Sequence, residues 1–247
     1  MPPGTLPYVI CALPRSGSSV LCDALAATGV AGRPKEYFLA RAVRKRGEEW
    51  GLPRKASLAD YLRAATDHTR TPNGVFGFKV MRSDLETLLG GLPPAPGTSP
   101  AARLEALLPG LRYLRMTRRD VVRQAVSHLR AMQTNHWSSR QQGLREARLE
   151  AHYDFAALHD LVRTVRQFEA AWDRFFQEAG VGPLLVPYED FAADQEGVVR
   201  LILASLGIDA PNPVFTRPLA LERQGDALNV QWAERYREEV RAHHGTA

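Results

Sequence analysis

Cysteine is scarce, with only Cys11 and Cys22 in 247 residues. Two cysteines make neither a disulfide framework nor a zinc-binding spacing. Both fall where a first strand and a first helix are expected, so they read as small buried apolar residues. Lysine is nearly as rare: Lys35, Lys45, Lys55 and Lys79 are the only ones, and a net charge of +5 rests on scattered arginines. That dispersion argues against nucleic acid as a partner, while a modest positive field suits an anionic small molecule. No apolar run approaches the ~20 residues of a membrane span, and the start lacks a charged-then-apolar signal pattern. A cytoplasmic protein with no membrane span is the expectation. The seven histidines show no metal pattern: His152 and His159 fall on a helical repeat without a partner motif, and no metal is expected. There is no internal repeat either. The composition, 45% hydrophobic and 24% charged, is that of a globular chain, and one domain over residues 1–247 is expected.

What is present begins at Tyr8. An apolar run, Tyr8-Val9-Ile10-Cys11-Ala12-Leu13, ends at Pro14, a small polar turn follows, and Ser18 opens a helical pattern through Thr28. Strand, loop and helix in that order put backbone N–H groups and the positive end of a helix dipole at one place, an anion cradle. Arg15 adds fixed charge, and Ser16, Ser18 and Ser19 add hydroxyls. Two nucleotide signatures are absent here. The loop has no lysine for the triphosphatase pattern G-x-x-x-x-G-K-[ST], and its single Gly17 cannot make G-x-G-x-x-G.

Further along, Arg41 to Arg54 reads as a basic surface segment, and Ser57 caps a helix carrying Leu58, Tyr61, Leu62 and Ala65. Val75–Met81 reads as a second strand, Ser83–Leu89 as a short helix, and Gly90–Pro100 as a mobile loop. Leu111–Met116 is a third strand. Asp120 leads into a helix from Val121 to Met132, followed by a polar loop containing Trp137. Asp154 caps a long helix from Phe155 to Glu178, with Leu158, Leu161, Val162, Val165, Phe168, Ala171 and Trp172 at helical spacing. Leu184–Pro187 is a fourth strand, Gln195–Leu206 a helix, and a last helix starts at about Val230. Strands alternating with helices predict a three-layer α/β fold with a mostly parallel sheet and ligands at the strands' carboxyl ends.

Those ends carry the candidate chemistry. Arg118 follows the third strand and Ser127 lies in the next helix; they are either a solvated arginine and a neutral helix serine or, beside the Arg15 loop, a guanidinium and a hydroxyl suited to a second phosphate. Glu36, between Pro34 and an aromatic pair, is either a surface glutamate or a base for a hydroxyl's proton. Lys79 is either a snorkelling strand-end lysine or a cation for a leaving phosphate. His128 and Trp137 also have two readings each, an acid or a solvated ring for the first, a sugar platform or packing for the second. Tyr188-Glu189-Asp190-Phe191 reads as a structural strand-end turn.

Several segments resemble the bacterial trehalose 2-sulfotransferase family: Pro14-Arg15-Ser16-Gly17-Ser18-Ser19, Ala27 to Gly32, Pro34-Lys35-Glu36-Tyr37-Phe38, Thr71 to Val75, Asp120-Val121-Val122 and Gln124 to Ser127. Leu221-Glu222-Arg223-Gln224 and Trp232 to Arg237 continue the resemblance, in order, almost to the end. It implies a P-loop-like phosphosulfate loop and metal-free transfer of a sulfuryl group from 3′-phosphoadenosine-5′-phosphosulfate (PAPS) to a hydroxyl of a sugar or glycosylated metabolite. By resemblance, Pro14 to Ser19 hold the 5′-phosphosulfate, Arg118 and Ser127 the 3′-phosphate, and Arg223 and Gln224 close over the nucleotide. Glu36 is the general base, with Arg15 and Lys79 completing the catalytic set and Tyr37 and Phe38 beside the acceptor. A homodimer is also implied. Arg33 stands where the resemblance leads one to expect a sugar-binding acid, and Arg82 where it leads one to expect an aromatic, which points away from plain trehalose. Two rival readings are a kinase-like phosphotransferase, which lacks its loop lysine here, and a nucleotide-binding partner protein without turnover.

Overall fold

The structure, a computed structural model, describes residues 2, 4–92, 97–137, 150–210, 215 and 227–244. Four strands, β1 (Leu6–Ala12), β2 (Val75–Met81), β3 (Arg112–Thr117) and β4 (Leu184–Pro187), form one sheet in the order β2-β1-β3-β4. Every pairing is parallel, with Ile10 opposite Lys79 and Cys11 opposite Arg115. The run that begins at Tyr8 is continuous because β1 is central and buried on both faces. Val9, Cys11 and Leu13 enter one core, while Tyr8, Ile10 and Ala12 enter the other.

Helices fill both faces, giving the expected three layers. On one side lie α1 (Ser18–Ala27), α8 (Tyr188–Ala193) and α9 (Gln195–Ser205), around Leu21, Leu25, Phe191 and Ile202. On the other lie α3 (Leu58–Thr69), α4 (Arg82–Gly90), α5 (Pro100–Leu107) and α7 (Phe155–Ala179), around Leu62, Leu85, Leu104 and Trp172. A third cluster joins α6 (Val121–Thr134) and α7 to α10 (Ala227–His244) through Val126, Leu129, Val162, Trp232 and Tyr236.

Local signals behave as their chemistry demands. Ser57 and Asp60 form a reciprocal capping box, and Asp120 and Asp154 accept the N–H groups of Arg123 and Ala157, each satisfying an otherwise orphaned donor. Where the structure departs from the sequence reading, tertiary contact is the reason. The basic segment forms α2 (Ala40–Glu49), because Val43 and Trp50 pack on the first core and Arg46 lies 5.0 Å above the Tyr37 ring. Its Arg44–Glu48 and Lys45–Glu49 pairs are exposed and hide a narrow apolar stripe. Pro100 is not the end of a loop but the first residue of α5, capped by Ser99. The turn at Tyr188 is a short helix, and the last helix starts earlier, at Ala227. Residues 93–96 of the expected mobile loop lie outside the described residues.

The strand order positions the site. From β1 the chain crosses to β2 on one side and returns to β3 on the other, so the loops leaving β1 and β3 diverge at their carboxyl ends. That divergence is the crevice where ligands of open α/β sheets bind.

Candidate active site

The loop after β1 has a backbone shape that suits an anion. Arg15 and Gly17 both have positive φ, 62° and 90°, on either side of Ser16. Such alternation turns successive N–H groups toward one concavity, and holding a non-glycine residue there costs about 1–2 kcal/mol. Gly17 caps α1 without a side-chain hydrogen bond, so the first N–H groups of the helix have no carbonyl one turn back. The loop is pinned from behind. Gln124 Nε2 donates to the Pro14 carbonyl at 2.9 Å, and an Arg118 terminal nitrogen donates to the Arg15 carbonyl at 3.0 Å. At Gly17 a methyl group would stand 2.5 Å from Tyr188 Cδ2, so no larger residue fits. Ser16 is fully buried, and among the described residues its hydroxyl has no hydrogen-bond partner. A buried hydroxyl left open in such a loop could donate to a phosphate or sulfate oxygen.

The second expected subsite is continuous with the first. Arg15 Nε donates to Ser127 Oγ at 2.9 Å, and an Arg15 terminal nitrogen donates to the Trp137 carbonyl at 2.6 Å. Arg118 approaches from β3 with its guanidinium 4.7 Å from the Tyr188 ring centre. Two guanidiniums are therefore gathered on one hydroxyl and one loop. Burial holds both Arg15 and Arg118 below the usual arginine range, and Arg118 pushes Arg15 further down. Two guanidiniums on one loop favour an anion beside them. His128, one residue after Ser127, is held below the usual imidazole range by burial and by Arg15.

On the other flank Lys79 joins the loop to the candidate base. It is 5% exposed, on the β2 face that turns toward α1. Its Nζ lies 3.0 Å from Ser19 Oγ and 2.9 Å from Glu36 Oε1. Glu36 itself is held through its neighbours. Lys79 N–H donates to the Lys35 carbonyl at 2.9 Å, the Tyr61 hydroxyl to the Tyr37 carbonyl at 2.7 Å, and the Tyr37 hydroxyl to the Arg33 carbonyl. A carboxylate, an ammonium and a helix start are thus linked at one edge of the crevice.

The remaining expectations fall differently. Tyr37 and Phe38, 1% and 5% exposed, are core residues packed on Phe76 and Phe78, so burial turns the expected acceptor-side pair into the backing of Glu36. Arg33 is exposed. Arg82 opens α4, with its guanidinium 5.9 Å from the Trp172 ring centre and 3.2 Å from Glu86. Ser18 is buried at the start of α1. Arg223 and Gln224 lie outside the described residues. Among the described residues no group of His, Cys, Asp and Glu could hold a metal ion, and no helix is long and apolar enough to cross a membrane.

Sequence reasoning missed Tyr188, which touches both halves of the site, and Glu189, whose carboxylate accepts the N–H groups of Arg119 and Asp120 at 3.1 and 3.3 Å. Their signal was their place directly after β4, at the same sheet end as the other loops. It also passed over Arg115, a charge inside an apolar strand, which pairs with Glu169 and Asp173.

The chain is similar to known sulfotransferases. A family model described as Stf0 sulphotransferase matches residues 7–239. A trehalose 2-sulfotransferase of Mycolicibacterium smegmatis is 33% identical over 264 residues, covering 94% of this chain and 95% of that protein. One of Mycobacterium tuberculosis is 30% identical over 262 residues, covering 95% of each. Among solved structures, a sulfotransferase domain from the Synechococcus PCC 7002 olefin synthase aligns over 95% of this chain and 88% of that one, with 19% identity and a TM-score of 0.47. A sulfotransferase from Alicyclobacillus acidocaldarius aligns over 92% and 94%, with 18% identity and a TM-score of 0.49. With the family matched over residues 7–239 and two relatives at 33% and 30% identity along nearly all of both chains, this chain belongs to the trehalose 2-sulfotransferase family of Stf0 sulphotransferases.

Proposed function

We propose that this sulfotransferase uses PAPS as donor and a hydroxyl of a carbohydrate or glycosylated metabolite as acceptor, with Glu36 as general base. One observation carries the reading: Lys79 Nζ is within hydrogen-bond distance of both Ser19 Oγ and Glu36 Oε1. It couples a candidate base to the start of the helix that faces the anion loop.

The residues present fit the donor, as the orphaned Ser16 hydroxyl and the paired positive-φ positions indicate. Pro14, Arg15, Ser16, Gly17, Ser18 and Ser19 would hold its 5′ phosphosulfate end, Arg118 and Ser127 its 3′-phosphate, and Arg223 and Gln224 its outer side. When bound, PAPS supplies the sulfuryl group and a phosphate leaving group. Glu36 takes the proton of the attacking hydroxyl, which makes the oxygen a better nucleophile. Lys79, Arg15 and the first N–H groups of α1 would stabilise the negative charge that builds on the leaving oxygen. Because a loose transfer of this kind gives the protein little covalent work, such preorganised charge is the larger contribution.

The two relatives are named for trehalose, a neutral disaccharide. Here Arg82 has as its carboxylate partner Glu86, whose side chain is 71% exposed. The Arg82 side chain is itself only 19% exposed, but the exposed Glu86 carboxylate can turn to water, which lets a substrate carboxylate or phosphate take its place with bidentate hydrogen bonds. We therefore assign the acceptor an anionic group or a larger glycosylated frame, read by Arg33 and Arg82.

The test has two arms. Thermal shifts with 3′-phosphoadenosine 5′-phosphate (PAP), AMP, ATP and NAD, without metal, should show the largest shift with PAP. Radiolabelled sulfuryl transfer from PAPS to trehalose and to neutral and acidic glycosides should favour an acidic acceptor by roughly ten- to a hundred-fold, the value of one charge-assisted hydrogen bond. Arg33→Glu and Arg82→Met should each narrow that preference. Equal shifts from PAP and AMP would remove the donor reading. Trehalose as best acceptor, with the ranking unmoved in both variants, would remove the acceptor reading.

A further inference from the structure

The loop after β1 and the loop after β3 are joined by a third segment that neither supplies. Tyr188, the first residue of α8 directly after β4, presents its ring to the Arg118 guanidinium at 4.7 Å, and the same ring leaves no room for a side chain at Gly17. The next two residues hold the β3–α6 connection. Glu189 accepts the backbone N–H groups of Arg119 and Asp120, and Asp190 grips the Arg119 guanidinium with two hydrogen bonds of 2.6 and 2.7 Å. Three consecutive residues thus touch Gly17, Arg118, Arg119 and Asp120.

We propose that Tyr188 is a positioning residue that sets the distance between the loop at 14–19 and Arg118, so that the pair selects a nucleotide carrying two separated phosphates. The inference rests on the donor reading above and adds to it the element that enforces the spacing. An arginine side chain has many rotamers, and each one left open weakens recognition of a fixed ligand. Stacking on an aromatic face restricts the guanidinium to one plane, and its hydrogen bond to the Arg15 carbonyl fixes its height above the loop. The ring's other contact, at Gly17, fixes the loop relative to that plane. A ligand that fills both anion subsites gains from this spacing as a bivalent ligand gains from a matched linker. A ligand that fills one subsite gains almost nothing.

The experiment measures PAP and AMP affinities by titration calorimetry for the wild-type chain, Tyr188→Leu, Tyr188→Phe and Glu189→Gln, with the unliganded melting temperature of each. The wild type should prefer PAP. Tyr188→Leu should lose at least tenfold in PAP affinity and less than threefold in AMP affinity, and its KM for PAPS should rise more than its kcat falls. Tyr188→Phe, which keeps the ring, should restore the preference. Glu189→Gln should lower the PAP-to-AMP ratio by about threefold, and it serves as the deciding variant should Tyr188→Leu not fold. A ratio unchanged in folded Tyr188→Leu, or both nucleotides weakening alike, overturns the inference while leaving the donor reading intact. An unchanged ratio in Glu189→Gln, where that variant decides, does the same. A wild-type chain with no preference for PAP overturns both.

Discussion

Lys79 and Arg115 are buried alike, at 5% and 4% exposure, on the two strands that flank β1. Their registers, opposite Ile10 and Cys11, send them to opposite faces of the sheet. Arg115 is held by a single helix, α7. It donates to the Glu169 carboxylate and, at 3.1 Å, to the Glu169 carbonyl, pairs with Asp173 at 3.1 Å, and lies 5.8 Å from the Phe176 ring centre. Burial still pushes the Glu169 carboxyl above its ordinary range, with Arg115 opposing it. Lys79 has a hydroxyl and a carboxylate as partners, and the Glu36 side chain is 30% exposed. A buried cation must be paired in either case. A rigid fork held between two carboxylates of one helix is architecture, whereas an ammonium shared between a loop hydroxyl and a part-exposed carboxylate is poised to exchange partners.

The sharpest break in that comparison comes from Glu36→Gln. Transfer should slow by roughly 10²–10⁴, the range for losing a general base, while PAP affinity and melting temperature stay near wild type. Turnover within a factor of a few of wild type would move the base elsewhere, with His128 the next group to test.

The two cations themselves should then separate. Arg115→Met leaves the part-buried Glu169 without its partner and should cost about 3 kcal/mol of stability, the low end for breaking a buried pair, with KM for PAPS unchanged in the folded fraction. Lys79→Met should cost about 1 kcal/mol, because Glu36 can turn to water, yet reduce kcat more than Arg115→Met does. Urea unfolding beside steady-state kinetics reads both. Similar profiles for the two variants would erase the distinction drawn here.

Ser127→Ala tests the junction on the loop's other side. Removing the hydroxyl that accepts from Arg15 should weaken PAP about tenfold, in line with a hydrogen bond to a charged group, and AMP less. Competition binding would show it, and equal weakening would assign Ser127 to the 5′ loop alone.

The smallest effect concerns His128. Its depressed folded value means that the folded chain binds fewer protons than the unfolded chain below about pH 6.5. Its contribution to stability is present above that pH and is lost as the pH falls through the folded value. Unfolding midpoints at pH 7.5 and 5.5 should therefore differ less in His128→Gln than in the wild type. A slope unchanged by the substitution would place the acid sensitivity in other groups.

Much of this protein is legible along the chain, for a reason that the particular elements make plain. The β1–loop–α1 unit, the caps at Ser57, Asp120 and Asp154, and all four strands rest on signals contained within a few residues: an apolar run, a capping oxygen, a glycine. The helix α2 was hidden because its apolar stripe is narrow and gains its partner from Tyr37 and the core behind it. Tyr188 was hidden because nothing near it in sequence marks a ring that will meet Gly17 and Arg118.

The chemistry-bearing residue types at the sheet's carboxyl ends were therefore readable from one chain, while their partnerships were not. Arg15 meets Ser127 across 112 positions, and Lys79 meets Ser19 across 60. Parallel strands require long crossover connections, so the partner of each loop is chosen by strand order and register rather than by anything local. Tyr37 and Phe38 make the same point from the other side. Their sequence places them beside Glu36, and the packing of β2 against α3 turns them inward, where they hold the carboxylate from behind.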